Sequence, residues 1–113
     1  MSRVVSIKVV YAKWCPHCNP LTLDAMKRAS SELGAKLELY DIDDKEQVKV
    51  ADRLVKEYGD WSEDYTIPQV FFEYADGRVE HVLTGQRAGV WATKQKIEEL
   101  FKSEKYTKLK AGA

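Results

Sequence analysis

VVSIKVVYAKWCPHC, at residues 4–18, carries both cysteines of the chain where an apolar run gives way to helix-compatible sequence. The β-branched residues at positions 4–11 predict a buried strand. Cys15 stands directly before Pro16, and proline is favoured at the first position of a helix because its missing N–H needs no partner there. We therefore expect Cys15 at a helix N-terminus, where the helix dipole favours a thiolate over a thiol.

The composition is that of one folded domain. The chain has 113 residues, of which 44% are apolar and 32% are charged, which suits a single hydrophobic core. Its eighteen basic and eighteen acidic residues cancel, so charge gives no reason to expect a nucleic-acid or membrane partner. The first residues lack the apolar segment of a signal peptide, and no run approaches the roughly 20 apolar residues that span a bilayer. We expect a cytoplasmic protein.

Hydrophobic periodicity predicts three helices. Apolar residues three and four positions apart form the inner faces of the first two helices, which we expect to end at Gly34 and Gly59. Pro20 removes a hydrogen bond from the first helix and should kink it. Thr93 is the predicted N-terminal cap of the third helix.

Strand patterns complete an α/β domain. Beyond the first strand, strands are predicted at residues 36–40, 69–74 and 78–83. Asp76-Gly77 predicts that a two-residue turn joins the last two strands as a hairpin. The order β-α-β-α-β-β-α then gives a four-stranded mixed sheet covered by three helices. This domain takes up residues 1–103, and we expect the Lys-rich tail at 104–113 to fray.

Cys15 and Cys18 allow three interpretations. A structural zinc site normally needs four ligands; only the two cysteines, His17 and His81 are available, and His17 is badly placed between the sulfurs. An inert buried pair is the second, although the polar neighbours argue against deep burial. The third is a redox dithiol, because a second cysteine one helical turn away can close a disulfide. Cys15 would then attack a target disulfide, and Cys18 would release the product.

Three residues around the sulfurs are candidates for tuning the thiolate. Lys13 and, when protonated, His17 would add positive charge near Cys15, and Pro16 would set the start of the helix.

A second motif, Thr66-Ile67-Pro68-Gln69, precedes an aromatic strand. Proline is tolerated as the first residue of a strand, where its missing N–H breaks no ladder. The alternative is a functional cis bond at Pro68, and the residues alone leave both open.

Together, CPHC at residues 15–18 and TIPQVF at 66–71 resemble the thioredoxin-fold oxidoreductases, and glutaredoxins most closely. The resemblance implies a thioredoxin fold and a small dithiol thiol-disulfide oxidoreductase that reduces protein disulfides or glutathione mixed disulfides. Cys15 and Cys18 would be the catalytic pair.

The resemblance also implies a substrate-binding surface. Pro68 would be cis and would lie beside Cys15, with Trp14 and Thr66 also facing the substrate. Ile67 would offer its backbone N–H and C=O to an extended substrate, as a short addition to the sheet.

Some positions depart from these families. Trp14 belongs to a thioredoxin-like Tyr-Ala-Lys-Trp-Cys stretch, whereas Val9 stands where thioredoxins carry a buried acid. Residues 85–91, GQRAGVW, lack the Gly-Gly and Asp pattern with which glutaredoxins hold glutathione. The expected electron donor is glutathione, as a co-substrate, or a thioredoxin-reductase-type enzyme.

We expect a monomer with no tightly bound cofactor and no metal site, whose partners are proteins that contain disulfides. Two other functions stay open: an iron–sulfur-cluster module of the glutaredoxin type, and a non-catalytic thioredoxin-fold protein that binds peptides.

Overall fold

A computed structural model describes residues 2–113. Four strands form one sheet in the order β2-β1-β3-β4; their bounds are β1 Val4–Tyr11, β2 Lys36–Asp41, β3 Gln69–Tyr74 and β4 Val79–Thr84. The first two strands pair in parallel, and the other two pairs are antiparallel. The predicted four-stranded mixed sheet is confirmed.

Residues 2–113 contain four α-helices instead of the three predicted. Their bounds are α1 Leu23–Leu33, α2 Gln47–Tyr58, α3 Val90–Lys102 and α4 Glu104–Ala111. As expected, Gly34 ends α1, with a left-handed φ of 63°, and Gly59 ends α2. None of the helices within residues 2–113 is long and apolar enough to cross a membrane.

The helices cover both faces of the sheet. Val10 on β1 and Phe71 on β3 belong to the apolar cluster that includes the inner face of α2. Ile7 and Val9 of β1 point to the opposite face, because side chains alternate along a strand, and belong to the cluster that takes in α1, α3, α4 and both cysteines. The sulfur pair therefore sits at the margin of the larger core.

The first helix is broken near its start. Residues His17–Thr22 form a π-helical turn in which Asn19 has an extended backbone and the Asn19–Pro20 bond is cis. Regular α-helix begins only at Leu23. The expected kink at Pro20 is confirmed, but the helix that we expected from Pro16 onward is not continuous, because Pro20 has no N–H to donate.

The hairpin turn is longer than predicted. The Tyr74 N–H donates to the Arg78 carbonyl at 2.8 Å, which leaves Ala75, Asp76 and Gly77 as a three-residue loop. Only Gly77 has positive φ, at 90°; Asp76 instead accepts a hydrogen bond from the Arg78 N–H on its carboxylate. The predicted two-residue turn was wrong. An aspartate whose carboxylate accepts a backbone N–H two residues on, followed by a glycine with positive φ, suits a three-residue loop with a glycine bulge.

Helix α3 begins earlier than predicted. It starts at Val90, after Gly89, whose φ is 149°. Thr93 is therefore not a cap but a fully buried residue inside the first turn. The prediction was wrong because the Thr93 hydroxyl bonds to partners outside its own helix, as described below.

The tail at 104–113 is not frayed but folds as α4. The Ser103 side chain caps it by accepting the Tyr106 N–H at 3.1 Å. Tyr106 and Leu109 are buried against the core, and the Tyr106 hydroxyl donates to Glu32 on α1 at 2.6 Å. The expectation of a frayed tail was based on its many lysines and overlooked Tyr106 and Leu109, which lie three positions apart on one face of a short helix.

Candidate active site

Cys15 and Cys18 lie just beyond the end of β1, in the first turn of the broken helix. The Cys15 carbonyl accepts the N–H groups of Cys18 at 3.0 Å and of Asn19 at 2.9 Å, so Cys15 marks the start of a helical turn as predicted. Both cysteines are free thiols. Contrary to the expectation from their polar neighbours, both are buried, Cys15 to 6% exposure and Cys18 to zero. Cys15 is therefore the sulfur that a target can approach first.

Burial separates the chemistry of the two thiols. It raises the pKa of Cys18 to about 12; a backbone hydrogen bond with Ala12 opposes the shift, and a side-chain hydrogen bond with Cys15 adds to it. Cys18 therefore stays protonated at neutral pH. Val9, six residues before Cys15, is fully buried and offers no group that could take the proton.

Lys13 and Trp14 occupy the exposed rim of the site. The Lys13 ammonium lies 3.8 Å from the Asp41 carboxylate, and its side chain is 76% exposed. Trp14 is 69% exposed, yet its indole N–H donates to Asp43 at 2.8 Å. Lys13 is thus linked to the last residue of β2, and Trp14 to the segment just after β2. If Lys13 tunes the Cys15 thiolate as predicted, it does so while paired with Asp41.

His17 turns toward α3. Its Nδ1 lies 2.7 Å from the hydroxyl of the buried Thr93, which also accepts the Gln86 N–H at 2.8 Å. Pro16 before it is exposed and helical in backbone conformation. Thr93 is the site residue that sequence reasoning missed, since 76 positions separate it from His17 and no local pattern links the two.

The second predicted motif contains the cis bond that the sequence left open. The Ile67–Pro68 bond is cis, and Pro68 is buried. Gly85 packs against this bond: its N–H donates to the Pro68 carbonyl at 2.8 Å, and a Cβ at Gly85 would lie 2.4 Å from the Ile67 carbonyl oxygen. Because a Cβ does not fit in this space, the position requires a glycine.

Two further side chains hold the segment before Pro68. The fully buried Gln69 donates its amide to the carbonyls of Thr66 at 2.9 Å and Asp60 at 3.2 Å, and accepts the Asp60 N–H at 3.0 Å. The Arg87 guanidinium donates to the Thr66 hydroxyl at 3.2 Å. Gln69 at the start of β3 and Arg87 after β4 thereby fix the backbone next to Ile67.

The two motifs meet at a groove. Trp14, next to Cys15, and Ile67, next to Pro68, line the same depression of about 400 Å³. Ile67 also packs against the apolar cluster that contains both cysteines. The structure thus brings the predicted substrate-binding residues Trp14 and Ile67 together, whereas it directs Lys13 toward Asp41 and Thr66 toward Arg87.

The ligand set considered for zinc does not converge in the described part of the chain. His81 lies on β4, stacks on Phe71, and has its Nε2 within 2.6 Å of the Thr84 hydroxyl. Among residues 2–113, no three His, Cys, Asp or Glu side chains are grouped so that they could hold a metal ion.

Comparison with known proteins found no matching family model, no matching curated protein and no matching solved structure. The function of the chain is therefore inferred from the geometry of its site.

Proposed function

We propose that this protein is a small thiol-disulfide oxidoreductase with a thioredoxin-like fold, closest to the glutaredoxins, that reduces protein disulfides or glutathione mixed disulfides. The observation that carries the proposal is the unequal burial of two free thiols one turn apart, beside a groove that joins the CPHC and TIPQ motifs. The mixed sheet in the order β2-β1-β3-β4 is compatible with that fold.

The reaction uses the two thiols in sequence. The Cys15 thiolate attacks one sulfur of the target disulfide, a bond forms between them, and the other target sulfur leaves as a thiolate that takes up a proton. Cys18 then loses its proton and attacks the Cys15 sulfur. The target thiol leaves reduced, and Cys15 and Cys18 remain joined as a disulfide. Two electrons pass from the dithiol to the target, and glutathione or a thioredoxin-reductase-type enzyme restores the dithiol.

The second step is the slower one in this proposal. In the free dithiol, burial is the main cause that raises the Cys18 pKa to about 12. Because burial also acts in the mixed disulfide, we expect little Cys18 thiolate for release of the target at neutral pH. The mixed disulfide on Cys15 is accordingly the intermediate that should accumulate.

Single-turnover measurements with pre-reduced protein test the proposal without a choice of electron donor. The probe is a neutral peptide whose cysteine is disulfide-linked to 2-mercaptoethanol, and peptide thiol is quantified with time. We expect Cys15→Ser to slow the reaction at least about a thousandfold, the scale of loss of a catalytic nucleophile. Cys18→Ser should still attack but stop at a mixed disulfide that mass spectrometry detects. Equal rates in wild type and Cys15→Ser would overturn the assignment.

A non-catalytic peptide-binding role is the second candidate, and the burial of both thiols beside an exposed Trp14 favours it. The double variant Cys15→Ser, Cys18→Ser separates the two functions. Peptide binding that persists in this variant, together with no thiol-dependent turnover in wild type, would support binding alone.

A further inference from the structure

Half of the residues that line the groove beside the two motifs are apolar. Trp14, Ile42, Val48 and Ile67 contribute carbon-rich surface to its lining. Trp14 is the chain neighbour of Cys15, and Ile67 is the chain neighbour of the cis residue Pro68, so the groove begins directly beside both residues. A segment of a target that enters the site at Cys15 would lie along this surface.

Hydrogen bonds hold the walls of the groove in place. The Trp14 indole is fixed to Asp43 at 2.8 Å, and the Tyr65 hydroxyl donates to Asp52 at 2.8 Å. Burial raises the pKa of Tyr65, and the bond to Asp52 adds to the shift, so this hydroxyl remains a donor across the physiological range. Asp52 thereby stays at the groove as an oriented carboxylate.

Every side chain of the groove lining that carries a charge at neutral pH is acidic. These are Asp52, Glu63 and Asp64; none of the described residues that line the groove is basic. The wider segment at 41–64 has nine acidic and four basic residues, although acidic and basic residues are equal in number over the whole chain. The negative charge of the protein is thus concentrated on the side of the site where the groove lies.

Four basic side chains in or near this segment make contacts outside the groove. Lys13 pairs with Asp41 at 3.8 Å and Lys49 with Glu46 at 3.4 Å, while the Lys56 ammonium lies 4.6 Å from the centre of the Trp61 ring. Arg87 donates to Thr66. None of these four side chains lines the groove, so they leave its three carboxylates available to a partner.

We propose that the groove selects disulfide substrates in which a Lys- or Arg-rich segment flanks the reacting cysteine. The apolar residues of the lining would contact the side-chain stems, which Lys and Arg can lay along apolar surface while their charged ends reach the carboxylates. Opposite charge in a cleft also raises the rate of encounter, by tenfold or more. Glutathione is anionic at neutral pH and would be repelled by the same carboxylates. This inference rests on the proposed function, because it names the substrate class of that site.

Charge-matched peptide probes test the inference. Each probe has one cysteine disulfide-linked to 2-mercaptoethanol, flanked by Lys residues in one peptide and by Glu residues in the other. At low ionic strength, pre-reduced wild-type protein should react about tenfold faster with the Lys probe. The ratio of the two rates should fall toward one at high salt, because salt screens exposed charges.

A charge-neutralised variant and a matched control locate the effect. In Glu63→Gln, Asp64→Asn the Lys-to-Glu rate ratio should fall at least threefold. Glu98→Gln, Glu99→Gln removes the same charge from the exposed face of α3 and should keep the wild-type ratio. A wild-type ratio of one, or a ratio that survives in Glu63→Gln, Asp64→Asn, would overturn the inference. If instead neither probe reacts faster with wild type than with Cys15→Ser, the proposed function itself fails.

Discussion

The cysteine-bearing end of the molecule and the C-terminal helix α4 are stabilised in different ways. Around Cys15 the backbone is irregular, with a π-helical turn and two cis prolines, and Trp14 is largely exposed. In α4 the backbone is a regular capped helix whose aromatic residue, Tyr106, is buried. Exposed aromatic surface beside the cysteine pair suits binding, whereas a buried aromatic residue stabilises the fold.

The contacts that hold the two regions differ in kind as well. The cysteine end depends on polar contacts between distant parts of the chain, such as His17 to Thr93 and Arg87 to Thr66. Helix α4 depends on apolar burial and on the bond from Tyr106 to Glu32. Substitutions in α4 should therefore change stability with little effect on chemistry, and substitutions around Cys15 should change both.

The largest stability effect is expected at Tyr106. Tyr106→Ala removes a buried ring and should lower the free energy of unfolding by about 3–5 kcal/mol, measured by urea denaturation. Tyr106→Phe keeps the ring and loses only the bond to Glu32, which should cost about 1 kcal/mol. Below the unfolding transition, the single-turnover rate at Cys15 should stay at the wild-type value in both. A lower single-turnover rate in folded Tyr106→Phe would contradict the view that α4 acts on stability alone.

Gly85→Ala should damage the cysteine end directly. The new methyl group would lie 2.4 Å from the Ile67 carbonyl oxygen and 2.7 Å from Pro68 Cδ, so the backbone beside the groove must shift. We expect a loss of about 1–3 kcal/mol in the free energy of unfolding, together with a slower single-turnover reaction.

Gly112→Ala, at the end of α4, is the matched control. Its nearest contact would be 3.6 Å away and its φ is −88°, a conformation open to alanine. Its stability should change by no more than a few tenths of a kcal/mol. Equal effects at Gly85 and Gly112 would contradict the packing described for Gly85.

The pH dependence of stability should report the burial of Cys18. An unfolded chain loses the Cys18 proton near the ordinary pKa of 9.0, whereas the folded protein keeps it until about pH 12. Between these values the folded state binds more protons, so the free energy of unfolding falls as pH rises, by at most about 1.4 kcal/mol per pH unit. Below pH 9 this contribution is fully present.

Cys18→Ala isolates this contribution. Tyr65 and Tyr106, whose pKa values burial also raises, lower stability in the same alkaline direction in both proteins. The difference in slope between wild type and Cys18→Ala therefore belongs to Cys18 together with its interaction with Cys15. Parallel slopes from pH 9 to 10.5 would show that Cys18 ionises freely in the folded protein.

Apart from the Gly112 control, the smallest effect on stability is expected at Thr93. Thr93→Val keeps the shape of the side chain but removes the bonds to His17 and to the Gln86 N–H, and should cost about 1 kcal/mol. If Thr93 positions His17 for the reaction, Thr93→Val should also slow the Cys15 reaction severalfold, and Thr93→Ser should restore it. An unchanged rate in the valine variant would leave Thr93 with a structural role only.

Local sequence patterns were sufficient to predict the strands and the position of the sulfur pair. The bounds of β1 and the helix ends at Gly34 and Gly59 follow from β-branched runs and from glycine stops, which act between neighbours in the chain. The same holds for the helical turn that starts at Cys15 and for the break at Pro20. These features need no knowledge of which strand lies beside which.

Tertiary structure alone decided what surrounds the sulfurs. The contact of His17 with Thr93, the packing of Gly85 on Ile67, and the acidic groove between Trp14 and Tyr65 all join residues that the sheet order brings together. Likewise α4 is stabilised because Tyr106 and Leu109 pack into a hydrophobic core formed by other parts of the chain. Side-chain spacing sets local conformation, but burial and long-range hydrogen bonds depend on the folded arrangement of the whole chain.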